Sequence, residues 1–211
     1  MSAIILLIFL FDFIMDIFNI INDNKNKRYL SKSLLMPLLL LFYITYTKNL
    51  NYYVIFALIF SFLGDIFLLN DNKKNFMLGG ASFLIGHTFY IISFIKEIEV
   101  HFKISLFHIL LIVPYIIYGI YVYKTIIKNM KNLKITAILY MFIILFSSIT
   151  CLLVILSGKQ QLILSFLGTI LFIVSDSLLG YSIFVHKNRY SDFLVMLTYV
   201  SAQTLLVFGF L

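Results

Sequence analysis

The sequence predicts an all-α, polytopic transmembrane bundle of about eight helices, and three observations predict it. Hydrophobic residues make up 62% of the 211 positions and charged residues 12%, where a soluble domain has roughly half and a quarter. The apolar residues come in runs of about 20, the length that crosses a hydrocarbon core of roughly 30 Å. The Lys and Arg residues sit almost wholly between those runs. The joining segments are too short for a separate folded domain, so the chain reads as a single integral membrane domain over 1–211.

The spans fall at about 3–21, 31–47, 51–69, 76–95, 104–123, 134–156, 162–185 and 191–210. The first run lacks a basic n-region, exceeds an ordinary h-region, carries Asp12 and Asp16, and leads to no small-residue cleavage site. It therefore reads as a retained helix and not a signal peptide. The second opens on Lys32. The third and seventh each carry one carboxylate, Asp65 and Asp176, and the fourth carries His87 near its middle. Asn, Lys and Asp mark the breaks, at Asn22 to Arg28, Lys48–Asn51, Asn70–Asn75, Lys96–Lys103, Lys124–Lys134, Ser157–Gln160 and His186–Arg189. Trp is absent, so the interfacial aromatic belt falls to Tyr, for example Tyr29, Tyr52 and Tyr190. The only prolines are Pro37 and Pro114, and no span is expected to be interrupted.

Of the 16 basic residues, most lie in the loops after the odd-numbered spans; only Lys48, Lys96, Lys103 and Lys159 lie on the other side. The positive-inside bias places the odd-numbered loops in the cytoplasm and both termini outside. That bias, with attraction to anionic headgroups, accounts for the net charge of +7. No basic face with base-stacking aromatics stands outside the membrane, so no nucleic-acid partner is expected. The single cysteine, Cys151, excludes an intramolecular disulfide and any multi-cysteine metal site.

Ala57–Leu69 (ALIFSFLGDIFLL) and Gly168–Gly180 (GTILFIVSDSLLG) both place an Asp ninth, four spans apart. Gly86-His87-Thr88 echoes Ala202-Gln203-Thr204 more weakly. A four-span offset preserves direction, so a 4+4 parallel repeat is one reading; chance similarity between two Leu/Ile/Phe-rich helices is the other.

A charged group at the bilayer centre costs roughly 2.5–3.5 kcal/mol, so carboxylates inside spans need a reason. At about 1.5 Å per residue, Asp16 lies about 8 Å, Asp65 about 7 Å and Asp176 about 14 Å from the cytoplasmic ends of their helices. Lys32 opens its span on that side, and Tyr140 sits about 9 Å into the sixth. Helical spacing puts Ser61, Gly64, Asp65 and Leu68 on one face, and Ser165, Gly168, Phe172, Asp176 and Leu179 on another. On the fourth span Phe83, His87 and Tyr90 align below Gly79 and Gly80. The expected picture is a polar pocket opening toward the cytoplasmic leaflet. Bland roles compete with it: a water-filled crevice for Asp12 and Asp16, snorkelling for Lys32, interhelical hydrogen bonding for His87, Tyr140 and Gln203. The four histidines, His87, His101, His108 and His186, are scattered without an HExxH pattern, and there is no GxSxG elbow or phosphate loop.

In order along the chain, FSFLGDIFLL (Phe60–Leu69), GxxSFLIGHTFY (Gly79–Tyr90), LFIVSDSLLG (Leu171–Gly180) and TYVSAQTLL (Thr198–Leu206) resemble the signatures of the YhhN-like lysoplasmalogenase family. Lys32-Ser33-Leu34-Leu35-Met36-Pro37-Leu38 is similar to that family's Lys-Pro-Leu-Leu-Met-Pro stretch, with Ser33 where Pro is usual. Gly180 stands where Ala is common, and Asp12 and Asp16 match no family motif. The resemblance implies an eight-span hydrolase of the sn-1 vinyl ether of a lysoplasmalogen, without a known organic cofactor; no metal-ligand residues are assigned. Its partners would be a lysophospholipid and the bilayer; the compact loops and Asn/Ile/Lys-rich usage lead to the expectation of a bacterial cell membrane.

The residues suit that chemistry. Vinyl-ether hydrolysis begins with proton transfer to carbon, and water captures the resulting oxocarbenium ion. An acid held protonated in a low-dielectric bundle serves the first step, and an ionised carboxylate serves the second, as in glycosidases. Asp65 and Asp176 supply such a pair, with either as the acid. His87 or Tyr90 would position water, Lys32 would hold the phosphate, and Tyr140 and Gln203 would line the substrate site. A transporter of small solutes or lipids with midplane carboxylates is the alternative, followed by a non-catalytic scaffold and a binuclear metal hydrolase.

Overall fold

In a computed structural model, residues 1–211 are described apart from positions 71, 100, 101, 104, 131, 132 and 189. His101 and Arg189, two of the loop residues named above, therefore lie outside the described residues. The chain is all-α: α1 (Ser2–Ile21), α2 (Lys25–Tyr46), α3 (Tyr52–Leu68), α4 (Lys73–Glu97), α5 (Leu106–Leu110), α6 (Val113–Thr125), α7 (Lys134–Leu156), α8 (Ile163–Phe184) and α9 (Ser191–Phe208). Among the described residues seven segments are long and apolar enough to cross a membrane, α5 and α6 together forming one of them. The remaining apolar helix, α3, has 17 residues, the short end of what spans a bilayer.

Two boundaries differ from expectation for physical reasons. The basic residues Lys25, Lys27 and Arg28 are not loop residues but the first turn of α2, which starts at the Asn24 cap; the Asn24 side chain accepts from Lys27 N at 3.3 Å. Charge marks where the hydrocarbon ends, whereas a helix ends where its backbone groups find other partners, so α2 and α4 run past the hydrocarbon edge. The fifth span, expected to be continuous over 104–123, is broken. Pro114 brings no N–H and its ring crowds the carbonyl of Leu110, so α5 ends there and Pro114 sits in the first turn of α6. Between them Ile112 N bonds to Ile109 O at 3.1 Å, one residue tighter than an α-helix.

The helices group into two units, Met1–Ser93 with Phe210–Leu211, and Phe94–Gly209. In the first, α1 packs on α2 and α2 on α3. Its apolar interior holds Leu35, Leu39, Tyr43, Val54, Leu58 and Tyr90, while α1 turns Ile4, Leu7, Phe11, Ile14 and Phe18 outward, as a lipid-facing helix does. Gly64 lets α4 approach: a Cβ there would stand 2.7 Å from the Phe83 ring. The far end is tied by polar contacts, with Tyr43 Oη accepting from Asn51 N at 3.0 Å and Asn51 Nδ2 donating to Ser93 Oγ at 2.7 Å.

In the second unit α8 and α9 form the most extensive helix pair. Small residues let their backbones touch: a Cβ on Gly168 would lie 2.7 Å from both Ala202 O and Leu206 N. Ser165 Oγ donates to Leu206 O at 2.8 Å and Ser175 Oγ to Val195 O at 3.0 Å across the same seam. Because the obstacle is backbone, Gly168→Ala is expected to destabilise the protein by about 1–3 kcal/mol through overpacking. Gly80→Ala, where nothing lies within 4 Å, is expected to be neutral or mildly stabilising through helix propensity. Thermal unfolding of the two variants in detergent checks the contrast.

Candidate functional site

The polar residues singled out by the sequence gather in two clusters, one in each unit. In the first, Asp65 sits on the buried face of α3 with Ser61 and Gly64, and is 1% exposed. The Lys32 ammonium lies 3.8 Å from Asp65 Oδ1, and Lys32 is itself buried. A charge so placed stays buried only when paired, and this pair satisfies both helices. The separation is that of an ion pair.

Beside it lies a partner that the spacing did not reveal. Ser31, the residue before Lys32, donates its hydroxyl to Asp16 Oδ1 at 2.7 Å, and Asn19 Nδ2 donates to Ser31 Oγ at 3.4 Å. Asp16 is fully buried and Asn19 nearly so. Asp12 lies one turn earlier on the same helix. The Ser-Lys-Ser run at 31–33 was the available signal, since a serine next to a membrane lysine is a ready donor.

His87 and Tyr90 are placed by α4. Phe83 seats against Gly64, the residue before Asp65, and His87 follows Phe83 by one turn. His87 is 2% exposed and Tyr90 fully buried, their ring centroids 5.9 Å apart at a 59° tilt.

In the second unit the Tyr140 hydroxyl of α7 donates to Asp176 Oδ2 of α8. Tyr140 is thereby the polar partner of Asp176, a more specific place than generic interhelical contact. Ser177, next in sequence, shares a 2.7 Å hydrogen bond with Tyr118 Oη of α6, so two tyrosines from two helices bracket the Asp176-Ser177 pair. The serine directly after Asp176 was the only sequence signal for that second contact. Deeper in the unit Tyr115, Ser148 and Thr169 form a hydroxyl chain at 3.0 and 2.9 Å. Gln203 is fully buried on α9, next to Ala202, which meets Gly168.

Among the described residues no group of three or more His, Cys, Asp or Glu side chains is arranged to hold a metal ion. His108 caps a helix instead: its Nδ1 lies 3.0 Å from Ser105 N and 2.7 Å from Ser105 Oγ. What the two clusters offer is one carboxylate facing a fixed cation and one carboxylate facing a neutral hydroxyl.

Comparison with known proteins matches residues 27–210 to the model of the YhhN family. That stretch contains Lys32, Asp65, His87, Tyr90, Tyr140, Asp176 and Gln203, and it leaves Asp12 and Asp16 of α1 outside. No curated protein and no solved structure matches the chain.

Proposed function

The chain belongs to the YhhN family, and from that membership we propose that it hydrolyses the sn-1 vinyl-ether bond of a lysoplasmalogen. The products are a fatty aldehyde and a glycerophosphoethanolamine or glycerophosphocholine. The observation that carries the reading is the family match itself, which spans both aspartate motifs of a multi-pass membrane protein. The chemistry of the two carboxylates supports it.

The reaction has two demands. A proton must be delivered to the alkenyl carbon β to the ether oxygen, and the oxocarbenium ion formed must be stabilised until water adds to it. The adding water gives up one proton, which restores the acid, and the hemiacetal then collapses to the aldehyde as its hydroxyl loses a proton and the departing glycerol oxygen takes one up. Asp65, ion-paired with Lys32, is the carboxylate we assign to the cation and to orienting water. Asp176, whose Oδ2 accepts from neutral Tyr140, is assigned proton donation through Oδ1. His87, Tyr90 and Gln203 are assigned to positioning substrate and water.

Lys32, expected above to hold the substrate phosphate, is committed to a carboxylate, which fits a role in tuning Asp65 better than one in binding an anion.

Purified protein in detergent, given lysoplasmenylethanolamine and separately its saturated-ether analogue, tests the proposal. Aldehyde from the vinyl ether alone supports it, because a saturated ether has no carbon to protonate. A well-folded protein that releases no aldehyde overturns it.

One observation favours a second reading. The break of the fifth span at Pro114 removes the argument that no helix is interrupted, and interrupted helices often mark transport sites. Solute flux in proteoliposomes, with no aldehyde released, would select that reading.

A further inference from the structure

Neither proton donation nor cation stabilisation, as assigned above, uses Asp12 or Asp16, and both lie outside the segment matched to the family. They occupy one face of α1, one turn apart. Asp16 is fully buried, and a carboxylate inside a span is costly enough to need a task. One of its oxygens is accounted for. Oδ1 accepts from Ser31 Oγ at 2.7 Å, and Asn19 Nδ2 in turn donates to Ser31 Oγ at 3.4 Å. The other is not: Asp16 Oδ2 and Asp12 Oδ2 are both buried and have no hydrogen-bond partner among the described residues.

Two such oxygens call for a cationic donor. Ser31 and Asn19 hold the Asp16 carboxylate, so its second oxygen has a fixed place. Positions one turn apart on a helix stand about 5–6 Å from each other at Cβ. A nitrogen donating over about 2.8 Å to each of two oxygens spans a gap of that size. An ammonium with N–H groups satisfies both acceptors and offsets their charge. Water donates without offsetting, and a trimethylammonium offsets without donating. The surroundings indicate where the ammonium comes from. The helix α1 packs on α2 and turns Ile4, Leu7, Phe11, Ile14 and Phe18 outward, so it stands at the lipid-facing edge of its unit. Asp16 lies about 8 Å from the C-terminal end of α1, in the half of the span next to one headgroup layer, and Asp12 is only partly buried. Ser31 immediately precedes Lys32, whose ammonium is 3.8 Å from Asp65 Oδ1, so the pair is close to the carboxylate assigned to the oxocarbenium ion.

We propose that Asp12 and Asp16 form a headgroup subsite that takes the primary ammonium of an ethanolamine lysolipid in preference to choline. This rests on the lysolipid reading above and names the headgroup. Asp16 Oδ2 supplies the fixed acceptor and Asp12 Oδ2 the second one.

The test uses the full-length protein in detergent and lysolipids with a saturated sn-1 ether, which are not cleaved. Their headgroups are ethanolamine, N-methylethanolamine, N,N-dimethylethanolamine and choline. Affinity, read by titration calorimetry, is expected to hold from ethanolamine to its N-methyl form, which keeps two N–H donors. It is expected to fall about tenfold at N,N-dimethylethanolamine and again at choline, one hydrogen bond to a charged group being lost at each step. Asp16→Asn keeps an oxygen that accepts from Ser31 and removes the charge. That variant and Asp12→Asn are each expected to weaken the ethanolamine ether about tenfold. Both are expected to leave the choline ether within about threefold, which also shows that they are folded. A flat series or no binding in the wild type, or an unchanged series in Asp16→Asn, overturns the proposal. Free ethanolamine bound as tightly as the lipid overturns it too, because the site would then serve a soluble amine.

In turnover the discrimination is expected in KM and not in kcat, since the headgroup is bound equally in the ground and transition states. Headgroup discrimination that Asp16→Asn abolishes, in a protein that releases no aldehyde, leaves the subsite standing and overturns the hydrolase reading alone. Aldehyde release with a flat affinity series overturns the subsite alone.

Discussion

Asp176→Asn is expected to lower kcat for vinyl-ether cleavage by about a thousandfold, within the range general acids contribute, while KM changes little. The reason lies in the chemistry. Protonation of carbon is slow, and an amide in place of the acid has no proton to give. Asn still accepts from the Tyr140 hydroxyl through its carbonyl oxygen, so the link between α7 and α8 survives and folding is not the explanation for the loss. Tyr140→Phe provides the milder companion: it removes the hydroxyl and keeps the ring, and is expected to cost about tenfold, because the hydroxyl stabilises the negative charge that Asp176 gains as its proton leaves. Steady-state kinetics on both, with thermal unfolding in parallel, checks the order. Wild-type turnover in Asp176→Asn would remove Asp176 from the chemistry.

Asp65→Asn is expected to lower kcat about a hundredfold, the scale of losing one electrostatic contact to a developing charge, and also to destabilise the fold. Here the two effects separate by design. Removing the carboxylate takes from Lys32 the anion it pairs with at 3.8 Å, and breaking a buried pair from one side costs about 3 kcal/mol. Changing Lys32 to Met in the same chain replaces the charge with an apolar side chain of similar length. The double variant Asp65→Asn with Lys32→Met is therefore expected to regain most of the lost stability and none of the lost activity. Recovery of activity along with stability would mean that Asp65 is a structural ion-pair partner and nothing more.

Much of this arrangement was legible in the sequence, because a bilayer enforces simple rules. Runs of apolar residues about 20 long had to be spans, and Asp65 and Asp176 stood out because few carboxylates lie inside spans and each is flanked by small residues at helical spacing. The partners of those carboxylates were less legible. Spacing fixes which residues share a face of one helix, but not how two helices rotate against each other. The Ser31–Asp16 bond and the Tyr140–Asp176 bond both join different helices. Pro114 was visible, yet whether a proline sits inside a helix or at its first turn depends on whether the preceding turn tightens, as Ile112 shows by bonding to Ile109. The basic residues that open α2 were read as loop because charge reports the membrane edge and not the helix end.

The most direct measurement runs the reaction in D2O with lysoplasmenylethanolamine and reduces the aldehyde to the alcohol as it forms, before its α-hydrogens exchange. Mass spectrometry then counts the deuterium at C2. Protonation of the vinyl-ether carbon predicts one solvent-derived deuterium at C2 in every product molecule, formed at rates that fall in the order wild type, Asp65→Asn, Asp176→Asn. Aldehyde without deuterium at C2, or no aldehyde from a well-folded wild-type protein, would contradict it.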